Sequence, residues 1–166
     1  MLNPVALVLT HGHIDHIGGV AALRKRYPDV KVYIHKLDAK MLTEPQSNLA
    51  ALMGGVFGGA DVIEADLSLE EAEIVEEAGI KLVVLHTPGH TAGGISLYAE
   101  DEGIVFVGDT LFASGIGRTD LGGDMAQLMK SIKERLLTMP DETAVYPGHG
   151  PVTTIGEEKA HNPFLR

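Results

Sequence analysis

The chain has 166 residues, of which 45% are hydrophobic, enough for one domain with a core. Its formal net charge is −10, with 23 acidic and 13 basic residues, which argues against nucleic acid or an anionic membrane as a partner. The absence of cysteine excludes disulfides, thiolate metal sites and a cysteine nucleophile. No apolar run approaches the roughly 18–20 residues of a membrane span, and no leader-like segment precedes the first strand, so we expect a cytoplasmic protein.

The first half of the chain predicts strands and helices in alternation. An apolar run at residues 5–9 predicts a buried strand, residues 20–27 predict a helix that ends before a proline, and Lys31–His35 predicts a second strand. A short helix is expected over residues 36–42. Glycine, alanine and methionine dominate residues 43–59, which we interpret as a mobile loop and a candidate lid.

Helix and strand signals compete in the acidic segment 61–77, so its structure stays open. The second half predicts more strands than helices. The predicted strands are Ile80–His86, a hairpin of residues 94–98 and 103–107, and residues 144–146. A glycine-punctuated loop at 113–124 leads to a helix at 125–138, and a last helix at 155–160 has Thr153 or Thr154 as its cap.

Three histidines and an aspartate lie within six positions directly after the first predicted strand: His11, His13, Asp15 and His16. In an extended segment, positions two apart project to the same side, so His11 and His13 can reach one ion together. Asp15 and His16 lie where the chain must turn toward the next element. Imidazole and carboxylate groups are ligands that suit zinc, iron and manganese.

Three further candidate ligands follow later apolar runs. His90, Asp109 and His149 each lie beside glycine or proline, near the end of a predicted strand. Seven candidate ligands are too many for a single zinc ion and suit two ions that share a carboxylate. Such a pair lowers the pKa of a water molecule and polarises a carbonyl group. The set therefore predicts hydrolysis of an ester-like or amide-like carbonyl without a covalent enzyme intermediate.

The segment THGHIDH, residues 10–16, resembles the T-H-x-H-x-D-H motif of the metallo-β-lactamase superfamily. The turns around His90, Asp109 and His149 match its remaining ligand positions in the right order, and the resemblance runs from residue 5 to the end. The segment HTPGHT at 86–91, the GRTD loop at 117–120 and the tail at 157–164 are similar to the single-domain members of the glyoxalase-II-like branch.

The resemblance implies an α/β fold, an αββα sandwich formed by one domain over residues 1–166, with the site at one edge between two sheets. It implies two divalent ions, with zinc the usual metal and iron or manganese also found. Asp15 would also orient the attacking water or take a proton from it. The implied reaction is hydrolysis of a small-molecule thioester, S-lactoylglutathione in this branch. The implied ligand sets are His11, His13 and His90 for the first ion, Asp15, His16 and His149 for the second, and Asp109 as the bridge.

The chain departs from the superfamily pattern at both ends. Members usually carry another sheet-forming segment before the motif, whereas here only residues 1–4 precede the first strand. We therefore expect the chain to be either a fragment of a longer protein or an N-terminally shortened member, with an exposed sheet edge and apolar face that lead to self-association or marginal stability. The larger enzymes of the branch continue with a helical domain that supplies glutathione contacts, so those contacts have no assignment in this chain.

Three alternatives remain open. A persulfide dioxygenase on the same scaffold would use one iron, held by His11, His13 and either Asp109 or His90. A lactonase or β-lactamase is the second alternative, although the GRTD loop and the tail favour the thioester hydrolase. The third is a non-catalytic metal-binding fragment.

The remaining candidates near the site have simpler interpretations. We expect His35 to be packed or capping and His161 to lie on the surface of the last helix. His86 is a candidate for support of His90 through a hydrogen bond. Arg118 and Asp120 suit an ion pair within their loop at least as well as contact with the substrate. Tyr146 suits the core and the pocket equally.

Overall fold

The first sheet contains three short parallel strands: β1 (Ala6–Val8), β2 (Lys31–His35) and β3 (Leu67–Leu69), in the order β1-β2-β3. A computed structural model describes residues 3–52 and 62–166. The candidate lid at 43–59 falls partly outside the described residues; its described part, 43–52, consists mainly of turns.

The second sheet has six strands and supplies most of the scaffold. Its strands are β4 (Ile74–Glu77), β5 (Ile80–His86), β6 (Ile95–Ala99), β7 (Ile104–Gly108), β10 (Ala144–Pro147) and β11 (Thr153–Thr154). In the chain segment that connects β7 to β10, β8 (Leu111–Phe112) and β9 (Gly115–Ile116) form an antiparallel hairpin that is not part of this sheet. The strand order is β11-β10-β7-β6-β5-β4, and every pairing is antiparallel except that of β10 with β7.

The helices are short, and two of them, α3 and α4, begin at a side-chain cap. They are α1 (Ile14–Ile17), α2 (Val20–Arg26), α3 (Met125–Ser131) and α4 (Ile155–His161), with a 3-10 turn at Ala39–Leu42. The side chain of Asp124 caps α3 by accepting a hydrogen bond from the backbone N–H of Gln127, and Thr154 caps α4 in the same way. Of the two threonines expected at this cap, Thr154 is the one that makes it. After α3 the helix continues as a π-helix at Ile132–Leu136, where a single α-helix was expected.

Three buried clusters define four layers. Tyr33 and Leu69 of the first sheet pack against Val84 and Leu97 of the second, which forms the core between the sheets. The outer face of the first sheet packs on α1 and α2, and that of the second packs on α3, the π-helix and α4. The expected αββα sandwich is therefore confirmed, because each sheet buries one face on its partner and the other on helices.

The segment left open at 61–77 contains two edge strands, β3 and β4. Among the described strands each has a neighbour on one side only, and both carry exposed apolar residues, Leu67 and Ile74. An edge strand with many polar residues lacks the alternation of apolar and polar residues that identifies a strand from sequence. These two segments are therefore strands because β3 pairs with β2 and β4 pairs with β5.

The expected open edge and apolar face lie beside β1 and β7. Within the described ranges β1 ends the first sheet, with a partner strand only on its β2 side. Phe106 lies opposite Leu97 on the face that meets the first sheet, and Tyr146 lies opposite Phe106, with ring centroids 5.4 Å apart. Both aromatic rings are more than one third exposed, because the three-stranded sheet does not extend over them. Tyr146 is thus neither a core residue nor a buried pocket residue.

Across residues 3–52 and 62–166, no helix has the length and apolar character needed to cross a membrane.

Candidate metal centre

The seven candidate ligands follow the ends of four strands. His11 follows β1, His90 lies in the turn between β5 and β6, Asp109 directly follows β7, and His149 follows β10. His13 is the residue before α1, while Asp15 and His16 lie within that single helical turn. The structure brings all seven together, and within each of three groups the ligand atoms lie at most 4.8 Å apart. Two of these groups, described below as the first and the second, share no residue; the third, formed by His11, His16 and Asp109, connects them.

The first group contains His11, His13 and His90, all buried. His13 Nδ1 lies 2.9 Å from His90 Nε2, and the ring of His11 meets those of His13 and His90 nearly edge-on, with centroids 4.8 and 4.9 Å away. His90 Nδ1 donates to the backbone carbonyl of Arg118, 2.7 Å away, which directs Nε2 toward the other two rings. Nitrogen atoms of three imidazoles thus converge on one point.

The second group contains Asp15, His16 and His149 and lies closer to solvent. His149 Nε2 lies 3.1 Å from Asp15 Oδ2, and His16 Nε2 lies 3.7 Å from the same oxygen. Asp109 adjoins both groups: its Oδ1 is 3.3 Å from His16 Nε2 and its Oδ2 is 3.6 Å from His90 Nε2. One carboxylate thus faces both groups, as a bridging ligand must.

Burial favours the neutral, metal-binding form of His11 and His13 by lowering their pKa values. Burial, followed by the neighbouring histidines, lowers the pKa of His11 well below its usual value. Burial and then His90 lower the pKa of His13 to about 4. Burial alone would raise the pKa of Asp109, but His16, His90 and His149 hold it below its usual value. At neutral pH these groups are therefore neutral imidazoles and a carboxylate, the forms that bind metal.

Three buried polar atoms in the cluster make no hydrogen bond to any residue that the structure describes: His11 Nε2, His16 Nε2 and Asp109 Oδ1. The 3.3 Å separation of His16 Nε2 and Asp109 Oδ1 is close enough for charge attraction, but it does not meet hydrogen-bond geometry. Unsatisfied buried polar atoms are costly, and metal coordination satisfies them. The donor set and its orphaned atoms therefore fit divalent metal ions.

Glycines let the backbone pass close to this cluster. A β-carbon at Gly148 would overlap Asp109 Oδ1 and lie 2.5 Å from His16 Cε1. A β-carbon at Gly117 would overlap the backbone carbonyl of Asp109. Both glycines are therefore required by close approach to ligand residues rather than by a left-handed backbone.

The other residues expected near the site have structural roles. His35 is buried and stacks on His86, with centroids 4.2 Å apart, so the packed interpretation holds. His86 Nε2 donates a hydrogen bond to the backbone carbonyl of Ala92 in the turn that carries His90. It makes no hydrogen bond to the side chain of a ligand, so the candidate bond to His90 is not formed. His161 is exposed and pairs with Glu157 on α4.

Arg118 and Asp120 form the expected ion pair within their loop. The guanidinium group donates two hydrogen bonds of 2.7 Å to the carboxylate, and both side chains are exposed. Arg118 also supports the site, through its backbone carbonyl, which accepts from His90.

One buried residue at the site was missed from the sequence. Asp38 accepts hydrogen bonds from Gly12, Thr91 and Gly93, which flank members of the first ligand group. The available signal was its place just beyond β2: because β2 is parallel to β1, the carboxyl ends of both strands reach the same edge of the sheet.

Comparison with known proteins places the chain in a family. Residues 2–149 match the metallo-beta-lactamase superfamily. A probable metallo-hydrolase, YqgX of Bacillus subtilis, is 41% identical over 165 residues, 99% of this chain and 77% of that protein. Hydroxyacylglutathione hydrolase GloC of Haemophilus influenzae is 39% identical over 166 residues, with the same two coverages of 99% and 77%.

Solved structures agree with this placement. The B3 metallo-beta-lactamase BLEG-1 superposes with a TM-score of 0.91 at 42% identity, covering 99% of this chain and 78% of that chain. TTHA1623, in a di-iron-bound form, superposes with a TM-score of 0.86 at 42% identity, covering 99% and 79%. The chain belongs to the metallo-β-lactamase superfamily, whose members bind divalent metals, and its class is that of a metal-dependent hydrolase.

Proposed function

We propose that this chain is a two-metal hydrolase that cleaves a thioester of the S-lactoylglutathione type into a carboxylic acid and a thiol. The observation that carries the proposal is the pair of ligand groups joined by Asp109, whose carboxylate lies within 3.6 Å of His90 in the first group and of His16 and His149 in the second. A site for one ion would need only the first group. The relative GloC, a hydroxyacylglutathione hydrolase, supports the thioester as substrate.

Each side chain has a defined task in this proposal. Two bound divalent ions, zinc in the first instance, would supply a hydroxide at neutral pH and polarise the substrate carbonyl. Asp15 is the most exposed of the acidic ligands and lies beside His149, so it can orient the attacking water or accept its proton. The proposed ligands are His11, His13 and His90 for one ion, Asp15, His16 and His149 for the other, and Asp109 for both.

A cavity of about 250 Å³ beside the first ligand group supplies space for the substrate. Its lining includes the ligands His13 and His90 together with Lys40 and Ser47. Lys40 is exposed and carries a positive charge in a chain of net charge −10. It can therefore attract a carboxylate on the substrate's thiol portion.

The test combines metal content with turnover. The purified chain should hold two divalent ions and hydrolyse S-lactoylglutathione. Asp109→Ala should lose at least one ion and most of the activity, by about 100-fold or more, because both groups lose their shared carboxylate. Asp101→Ala, in the exposed turn between β6 and β7, is the matched control and should retain both. Full turnover by Asp109→Ala would disprove the bridging role.

Two rival functions are separated by the same preparation. One iron per chain, with oxygen uptake on glutathione persulfide, would identify a persulfide dioxygenase and overturn the hydrolase proposal. The similarity to the B3 metallo-beta-lactamase BLEG-1 favours a β-lactam as the second substrate to assay. Cleavage of a β-lactam without cleavage of the thioester would keep the two-metal site and replace the substrate.

A further inference from the structure

A single buried carboxylate joins the two turns that carry the first ligand group. Asp38 is 1% exposed. Its Oδ2 accepts from the Gly12 N–H at 3.2 Å and from the Thr91 hydroxyl at 2.7 Å, and its Oδ1 accepts from the Gly93 N–H at 2.7 Å. Among the described residues, no lysine or arginine forms an ion pair with it.

The three donors lie in the turns that carry the first ligand group, and two of them are direct neighbours of a ligand. Gly12 lies between His11 and His13, and Thr91 follows His90 directly. Gly93 lies in the turn of His90, and a β-carbon there would come within 2.6 Å of Asp38 Oδ1 and of its backbone nitrogen. The carboxylate therefore reaches that turn only because residue 93 has no side chain.

From this geometry we infer that Asp38 is a positioning residue for the first metal ion. It sets the distance between the turn of His11 and His13 and the turn of His90, and so the affinity of that group for a metal. The inference rests on the proposed metal centre. It adds a residue that borders the 250 Å³ cavity but is not a metal ligand, and that would act through the two turns that carry the ligands.

The physical reason is that three histidines from two separate turns must be held together before a metal binds. His13 Nδ1 and His90 Nε2 already lie 2.9 Å apart, although they come from different parts of the chain. Hydrogen bonds to a carboxylate are stronger than those between neutral groups, and removal of this acceptor would leave three donors without their partner. The two turns would then lose their shared anchor, and the metal would have to restore the geometry at a cost in affinity.

The experiment compares Asp38→Asn with a matched variant elsewhere. Glu158 is also buried, 3% exposed, and also accepts three hydrogen bonds, from Ser114, Thr153 and Asn162. Zinc and cobalt affinities are measured by competition with a chelator, and thermal unfolding is measured on the metal-free proteins. Asp38→Asn should weaken binding of one ion by about 10- to 100-fold. Glu158→Gln should lower the melting temperature of the metal-free protein but leave both affinities unchanged.

A second pair of variants tests the same contact without changing Asp38. Thr91→Ser keeps the hydroxyl that donates to Asp38 and should bind metal nearly as the wild type does, whereas Thr91→Val removes that donor and should weaken binding. Combined with Asp38→Asn, Thr91→Val should cause less loss than the sum of the two single changes, because both act on the hydrogen bond between Thr91 and Asp38. If Asp38→Asn fails to fold, the comparison of Thr91→Ser with Thr91→Val still tests whether Asp38 positions the first ligand group.

The outcomes separate the two proposals. Wild-type protein that binds no divalent ion would refute the metal centre itself. Wild-type protein that binds metal, with Asp38→Asn and Thr91→Val of equal affinity to it, would refute the positioning role alone. Equal weakening by Asp38→Asn and Glu158→Gln would also refute it, because a general loss of stability would then explain the effect.

Discussion

Gly148 shows how closely the backbone approaches the candidate metal centre. It lies one residue before His149, and a β-carbon there would overlap Asp109 Oδ1 and press on the His16 ring. The chain after β10 thus brings His149 to the site only because residue 148 has no side chain.

Gly148→Ala should therefore weaken binding at the second ligand group. We expect a loss of metal affinity of about 10-fold or more, because His16 and Asp109 must move away from the added methyl group. Chelator competition measures it. Gly115→Ala is the control, since its β-carbon would meet only the Phe112 side chain at an ordinary 3.6 Å. Unchanged affinity in Gly148→Ala would show that the neighbouring side chains move aside without cost to the site.

The sequence identifies residues that carry chemistry in their own side chains. The seven candidate ligands stand out because histidine and aspartate after an apolar run are unusual, and the structure brings all seven together. Asp38 was missed because two of its three partners are backbone N–H groups, which have no residue identity in a sequence. The role of Gly148 depends on distances to Asp109 and His16, which only the fold establishes.

At the scale of elements, Asp66 explains how an acidic segment becomes a strand. Its side chain accepts from the backbone N–H of Val32 in β2 at 2.8 Å and forms an ion pair with Arg24 of α2. Its own N–H donates to the Val32 carbonyl at 2.9 Å. These bonds align the start of β3 with β2. Strand signals in the sequence report apolar alternation, so a strand that depends on such a polar anchor is hard to identify.

Asp66→Ala should lower the free energy of unfolding by about 1 kcal/mol, since the buried Val32 N–H loses an acceptor while the partly exposed ion pair adds little. The Arg24 hydrogen bond and then the Val32 N–H lower the pKa of Asp66. A lowered folded-state pKa adds stability above the unfolded-state pKa and loses it as the pH falls through the folded value.

Urea unfolding of the metal-free protein checks both parts of this prediction. The difference between wild type and Asp66→Ala should be constant from pH 8 to about pH 5 and shrink below about pH 4. Glu102→Ala, in an exposed turn of the second sheet, should behave as the wild type. A difference that grows on acidification would contradict the assignment of the carboxylate as the stabilising form.

At the scale of the whole molecule, the layers were predictable and the contacts along their edges were not. Alternating and continuous apolar runs identify the central strands, and the family resemblance orders them, so the αββα sandwich is recovered. The exposed pair of Phe106 and Tyr146 follows from how far a three-stranded sheet extends over a six-stranded one. Self-association through the β1 edge stays a prediction, which sedimentation velocity of the purified chain tests.

The candidate metal centre also ties the two sheets together. His11 follows a strand of the first sheet, whereas His90, Asp109 and His149 follow strands of the second. Ions bound to such a set stabilise the native state, because the unfolded chain does not hold these ligands together. Metal removal should therefore affect the stability of the whole fold as well as activity.

We expect a chelator to lower the melting temperature by about 5–10 °C. A free metal concentration 100 times the dissociation constant adds about 2.7 kcal/mol, and each kcal/mol shifts a chain of this size by about 2–4 °C. Calorimetry of metal-loaded and chelated protein measures the shift, and added zinc should reverse it. Asp109→Ala, which loses the shared carboxylate, should respond much less. An unchanged melting temperature in protein that has demonstrably lost two ions would mean that the ligand turns are held equally well without metal.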